Sequence, residues 1–139
     1  MGLVHANIEL VNTFEEQAAE RGMIQPEEVN RMRVNALVDS GAFMFCINEL
    51  IKSQLRLPAI GKQTAQMANG HIEEYEIVGP VTIYFENRQT ICRAIVLPGN
   101  NEVLLGAIPM EDMDVLINPR SQQLVVNPEH PNFAQTILK

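Results

Sequence analysis

Apolar residues recur at every second position from Val4 to Leu10, placing Val4, Ala6, Ile8 and Leu10 on one face. That period predicts a strand with one buried side. Residues 13–32 lose the alternation and become rich in Glu, Gln and Ala. Thr13 followed by Glu16 reads as a capping box, and Gly22 stands where a helix C-terminus would put it. Pro26-Glu27-Glu28 opens a second short helix, with proline at its first position. The expectation is an exposed helical insert between two strands.

Strand pattern returns at residues 33–38 and runs into Asp39-Ser40-Gly41-Ala42. Residues 43–57 are mixed, with a short helix expected from Asn48-Glu49 through Leu55 and ending near Pro58. From 60 to 97 the pattern is β again. Ala68-Asn69-Gly70-His71 is a hairpin signal, because Asn-Gly readily supplies the positive φ angles of a tight turn. Gly79-Pro80 predicts a break, Val81, Ile83 and Phe85 alternate, Glu86-Asn87-Arg88 reads as a turn, and Ile91–Leu97 as a strand. Pro98 to Asn101 is a loop. Residues 103–106 form a short buried strand ending at glycine. Met110 to Leu116 reads as a helix with Pro109 near its first turn, stopped by Asn118-Pro119. Leu124 to Val126 is the last strand. The tail from Asn127, with Pro128 and Pro131, reads as extended or as an arm exchanged between copies. The whole, residues 1–139, is expected to be one mainly β domain with short helices.

Composition narrows the functions open to such a fold. At 139 residues the chain is one domain on size, and its 46% hydrophobic content is ordinary for a globular protein. Aromatics make up 5% with no Trp, so aliphatics must carry the packing, and the seven methionines read as fillers of core gaps. The formal net charge of -7 argues against nucleic acid and against anionic lipid as partners. Cys46 and Cys92 lie far apart, each in an apolar run, and read as two buried free thiols. His5, His71 and His130 have no ligand spacing to one another or to cysteine, so no metal and no cofactor is expected. The pairs Glu15-Glu16, Glu27-Glu28 and Glu73-Glu74 read as solvated faces. The segment MGLVHANIEL lacks the basic start and apolar core of a signal peptide, and Ala6 stands where a myristoylation signal wants Ser or Thr. No stretch is long enough to span a membrane, and the default location is cytoplasmic.

The segment that carries chemistry is Ala36-Leu37-Val38-Asp39-Ser40-Gly41-Ala42. An apolar strand holds the carboxylate, a hydroxyl can fix the loop, glycine lets the backbone turn, and Ala42 leaves room beside the acid. Taken alone, Asp-Ser-Gly is also a common strand-ending turn. At this point the chain resembles the retropepsin-like aspartic proteases, whose signature is two apolar residues, Asp, Thr or Ser, Gly, and Ala or Ser. A second element of that family, an apolar-apolar-Gly triplet before a short helix, is matched by Leu104-Leu105-Gly106. Between the two the family carries a hairpin flap, and the Asn69-Gly70 signal falls there. Order and spacing agree across residues 33–126, and the chain looks closest to small prokaryotic members.

The resemblance implies a retropepsin-like closed β-barrel, one lobe per chain, acting as an aspartic endopeptidase. Asp39 would be the catalytic acid and base. Ser40 would lock two loops together, Gly41 would meet substrate main chain, and Ala42 would complete the active-site loop. Met67, Ala68, Asn69, Gly70 and His71 would form the flap, and Leu104, Leu105 and Gly106 the supporting strand. Such chemistry needs two carboxylates, and this chain has one Asp-Ser-Gly, so the resemblance implies a homodimer acting on a peptide or protein substrate. The alternative is a non-catalytic dimerisation or peptide-binding module of the same fold. The sequence departs from viral members in its long 13–32 insert, in a flap with one glycine, and in two tail prolines.

Overall fold

The alternating N-terminal segment forms a strand in the computed structural model, which describes residues 3–66, 68–99 and 102–138. Along the described residues run β1 (His5–Asn12), α1 (Thr13–Glu20), a 3-10 turn (Pro26–Glu28) and β2 (Arg31–Val38). They continue as β3 (Phe45–Asn48), α2 (Glu49–Leu55), β4 (Ala59–Gln66), β5 (Ile72–Phe85) and β6 (Arg88–Leu97). The chain closes with β7 (Leu104–Leu105), α3 (Ala107–Met113), β8 (Val115–Asn118) and β9 (Gln123–Val126).

Seven strands form one sheet in the order β1-β2-β7-β3-β6-β5-β4. Because β1 also pairs with β5, the sheet bends into a ring, and β4 hangs on β5 outside it. The mainly β, retropepsin-like expectation therefore holds. Closure removes most free strand edges. Inside the ring, Ile8, Leu10, Phe45, Ile47, Leu55, Ile83, Leu105 and Met113 are fully buried. Each such aliphatic or aromatic side chain contributes about 1.5–3 kcal/mol on burial. Methionine fills the core only in part: Met110 and Met113 are buried, whereas Met23 is exposed.

The break expected at Gly79-Pro80 is instead a kink within β5, where the register to β6 shifts between Val78 and Val81. Gly79 has φ +139, and a Cβ there would stand 3.3 Å from the Arg93 Cα. The kink lets one edge of β5 serve two partners. Residues 72–78 pair with β4, and 81–84 pair with β1.

The start of α1 and both ends of α3 differ from the sequence reading, and β2 and β6 begin earlier, at Arg31 and Arg88. The cap of α1 is Asn12, whose side chain accepts from the Glu15 N–H at 3.1 Å, not Thr13. Thr13 is buried and hydrogen-bonds Thr82, hydroxyl to hydroxyl, at 2.8 Å. The helix expected at 110–116 spans Ala107–Met113, because Gly106 begins it and Asp114, with φ 54, ends it. Val115 and Leu116 then belong to the β8–β9 hairpin, whose turn holds Asn118-Pro119.

Two of the acids expected to be solvated are engaged, Glu15 within the helical insert and Glu16 between the insert and the barrel. Glu15 accepts from the Asn30 backbone N–H at 2.8 Å and from its amide at 2.9 Å, and Glu16 accepts from the Tyr84 hydroxyl at 2.7 Å. Burial and Glu16 push the Tyr84 phenol up to about 12. The tail folds back on its own chain: Asp114 accepts from the Asn127 amide, the His130 ring and the Gln135 N–H. Among the described residues no helix is long and apolar enough to cross a membrane.

Candidate active site

Asp39 lies where β2 runs out, and its position is fixed from three directions. Val38 donates its N–H to the Val4 carbonyl at 2.8 Å, and Asp39 donates its own to Leu105 at 3.0 Å. The first bond extends the antiparallel β1–β2 pairing beyond His5 and Leu37, and the second extends the parallel pairing of Leu37 with Leu104 and Val38 with Leu105. The Gly41 N–H then donates to Asp39 Oδ1 at 2.9 Å, and the Ala42 N–H to the Asp39 carbonyl at 3.1 Å. The carboxylate is thus fastened at one oxygen to a turn of its own making. Asp39 is partly open to solvent, Ser40 and Gly41 are exposed, and Ala42 is half-buried.

The Leu104-Leu105-Gly106 strand supports this loop from behind. Leu105 is fully buried. A Cβ on Gly106 would lie 2.4 Å from the Met44 carbonyl oxygen and 2.8 Å from that of Ala42, so only glycine lets the two backbones pass. Immediately afterwards Ala107 donates to the Ala42 carbonyl at 2.8 Å and Ile108 to that of Phe43 at 3.0 Å. The start of α3 therefore clamps the chain that follows Asp39.

The hairpin signal is a hairpin. β4 pairs with β5 from Ala59–Val78 to Gln66–Ile72, and the turn between them carries Ala68, Asn69, Gly70 and His71, all exposed. The His71 N–H donates to Asn69 Oδ1 at 2.9 Å, which shapes the turn. Met67 lies outside the described residues. The ribbon's ion pairs, Lys62–Glu74 and His71–Glu73, are open to water and hold it only weakly.

Sequence reasoning missed a second apolar cluster on the outer face of the ring. Cys46, Ile77 and Ile95 are buried there, with Met44, Tyr75, Leu97 and Leu104 packed against them. Their strand neighbours Phe45, Ile47, Val78, Ala94, Val96 and Leu105 point into the main core. The signal was present in Phe45-Cys46-Ile47 and Ala94-Ile95-Val96-Leu97, which are apolar at every position, as strands covered on both faces are. This wall runs from the chain after Asp39 to Tyr75 on the ribbon. Burial pushes the Cys46 thiol up, and the nearby Asp39 carboxylate adds to that.

The other thiol, Cys92, is pushed up to about 12 by burial and by Asp112, and both cysteines are free, as expected, though Cys46 is buried and Cys92 only partly so. Neither is poised as a thiolate nucleophile. Asp112 accepts from the Thr90 hydroxyl at 2.6 Å, and Asp114 is occupied by the tail, so both carboxylates are committed elsewhere. Among the described residues no three His, Cys, Asp or Glu side chains cluster as metal ligands would.

The geometry is thus an acid loop at the end of β2, a glycine-dependent strand behind it, and a ribbon joined to it by an apolar wall. No curated protein matches the chain. A family described as aspartyl protease matches residues 26–108, well over half of the sequence, from the 3-10 turn through the acid loop and the ribbon to the first turn of α3. On that match the chain belongs to the aspartyl proteases, a family of the pepsin-like clan.

Proposed function

We propose that this chain is one half of an aspartic endopeptidase, in which a two-fold homodimer brings two Asp39 carboxylates together. The observation that carries the reading is the posture of Asp39. One oxygen is held by the Gly41 N–H, the backbone is tethered to Leu105, and the side chain stays partly open to solvent. A carboxylate so fixed is preorganised for chemistry yet incomplete, and the chain's other two aspartates, Asp112 and Asp114, are engaged elsewhere. An isologous interface on this loop would supply the second acid without any further motif.

Two carboxylates about 3 Å apart cannot both ionise, so the pair shares one proton and titrates as a unit, as aspartic dyads in general do. The ionised acid takes a proton from the bound water as its oxygen attacks the peptide carbonyl carbon. The protonated acid gives its proton to the carbonyl oxygen. The tetrahedral adduct then collapses, the C–N bond breaks, and the amine leaves with a proton from the dyad. Ser40 would lock the two loops across the axis, and Gly41 would meet substrate main chain. The ribbon tip at Ala68–His71 would close on the peptide by strand addition and exclude water.

The test is cleavage of an unfolded protein by the purified chain from acidic to neutral pH, read beside its mass in solution. Asp39→Asn is expected to abolish cleavage while the dimer persists, and a statine-type inhibitor to block the wild type. A dimer that binds peptides but cleaves none at any pH would overturn catalysis and leave the non-catalytic binding module.

A further inference from the structure

A cavity of about 260 Å³ opens where the chain leaves the acid loop. Met44 and Phe45 line it from that loop, Cys92 and Arg93 from β6, and Ile108 and Pro109 from α3. The hydrogen bonds from Ala107 to Ala42 and from Ile108 to Phe43 fix one wall directly to the segment that follows Asp39. Most of the lining is apolar, and it is not sealed, since Ile108 is 52% exposed. Phe43, next in the chain to Met44, is 74% exposed. A larger cavity, about 540 Å³, lies under the helical insert and takes none of its lining from the acid loop.

Arg93 gives the smaller cavity its chemical character. The side chain is exposed and forms no ion pair or hydrogen bond among the described residues. Elsewhere Arg31 and Lys62 on the sheet and Lys52 on α2 are each matched to a carboxylate, whereas Arg33 on β2 shares the unmatched state of Arg93 among the described residues. Asp112, whose charge acts on the adjacent Cys92, is engaged by Thr90. An unmatched guanidinium beside an apolar pocket is suited to a carboxylate carried next to an apolar group, because its planar fork binds carboxylates through paired N–H donors.

We infer that this cavity is an outlying subsite of the cleft. It takes a large apolar side chain of the substrate peptide while an adjacent Asp or Glu pairs with Arg93. The inference rests on the reading of Asp39 as the catalytic acid, since that reading makes this face part of a peptide-binding cleft. It adds a substrate class: peptides with an apolar residue beside an acidic one, a few positions from the cleaved bond.

The test uses fluorogenic peptides that differ only in Leu-Asp against Leu-Asn, with the pair moved stepwise along the peptide. At the register that fills the cavity, kcat/KM is expected to be about three- to fivefold higher for Leu-Asp, the size of an exposed ion pair. Replacing that Leu by Ser is expected to lower it about tenfold through lost burial. Arg93→Glu is expected to invert the Asp/Asn preference and to favour Leu-Lys, a reversal that a structural role for Arg93 would not produce. Cleavage with no register showing a preference, or equal losses on all peptides in Arg93→Glu, overturns the subsite and leaves the protease intact. The same peptides, labelled and bound to Asp39→Asn, give an anisotropy reading independent of turnover. A charge preference there that depends on Arg93, with no cleavage by the wild type, removes catalysis and keeps the subsite. No preference in binding or in cleavage removes the subsite.

Discussion

Gly106 and Met44 pass each other backbone to backbone, so closely that a Cβ on Gly106 would stand 2.4 Å from the Met44 carbonyl oxygen. The obstacle is main chain on both sides, and neither side has a rotamer with which to retreat. Relief would require moving the loop that follows Asp39 or the first turn of α3, and hydrogen bonds from Ala107 and Ile108 join the two. Gly106→Ala is therefore expected to destabilise the fold by about 3 kcal/mol or more, at the upper end of overpacking costs. Urea unfolding measures this. A loss under about 1 kcal/mol would mean that the two segments separate easily and that the clamp does not set the acid loop.

Gly41 tests the same loop by a gentler route. A Cβ there would lie 3.2 Å from Asp39 Oδ1, a side-chain atom that can turn away. Stability should change little, by under about 1 kcal/mol. The carboxylate, however, would shift by a few tenths of an ångström and strain its bond to the Gly41 N–H. Displacing a reacting group by about 1 Å can cost about a hundredfold in rate, so Gly41→Ala is expected to lower kcat about tenfold. Parallel measurement of thermal unfolding and peptide cleavage separates the two effects. Equal retention of both would show that the turn does not aim the acid.

Legibility in the sequence followed the range of the interactions. Asp39-Ser40-Gly41 could be found because the turn it forms is local, and the Asn69-Gly70 hairpin was legible for the same reason. β7 has only two residues, and its meaning lies in pairing with Leu37 and Val38 on one side and Cys46 on the other. No periodicity carries that information. The last helix was placed three residues late because apolar spacing favoured Met110–Leu116. Nothing local reveals that Asp114 would adopt φ 54 and send Val115 into a hairpin. The Asn12 cap was missed because Thr13 and Glu16 satisfy the same pattern one residue later. What displaced it is a partner far away in the chain.

That partner is the end of α2. Asn12 caps α1 through its oxygen, and its amide donates to the Leu55 and Arg56 carbonyls at 2.9 and 3.2 Å. One buried side chain, 3% exposed, thus satisfies the start of one helix and the end of another. Losing a cap costs about 1 kcal/mol. Leaving buried carbonyls unpaired adds about 1–3 kcal/mol. Asn12→Ala is expected to lower the unfolding free energy by about 2–4 kcal/mol. Asn12→Asp should recover the α1 cap only, since a carboxylate cannot donate to Leu55 and Arg56. Denaturant unfolding of the wild type and the two variants checks the division, and an Asn12→Asp as stable as the wild type would show that the α2 carbonyls do not need Asn12.

The acid response of the fold is expected to pass through Asp114. The Asn127 amide, the Gln135 N–H and the His130 ring hold its carboxyl down at about 2, against burial that works the other way. Those donors belong to the tail, so the ionised form of Asp114 helps keep the tail against the barrel, beside Asn87 and Arg88, which donate to the Pro131, Asn132 and His130 carbonyls. In the unfolded chain the same group titrates near 3.8. The unfolded state therefore takes up its proton first as the pH falls. The contribution of Asp114 is fully present above about pH 4 and is lost progressively as the pH drops towards 2. Asp114→Asn cannot titrate, so its stability should fall less steeply than that of the wild type over the same interval. Urea unfolding at a series of acid pH values, with both proteins in one buffer set, measures the two slopes. Parallel slopes would show that the tail contacts of Asp114 do not depend on its charge.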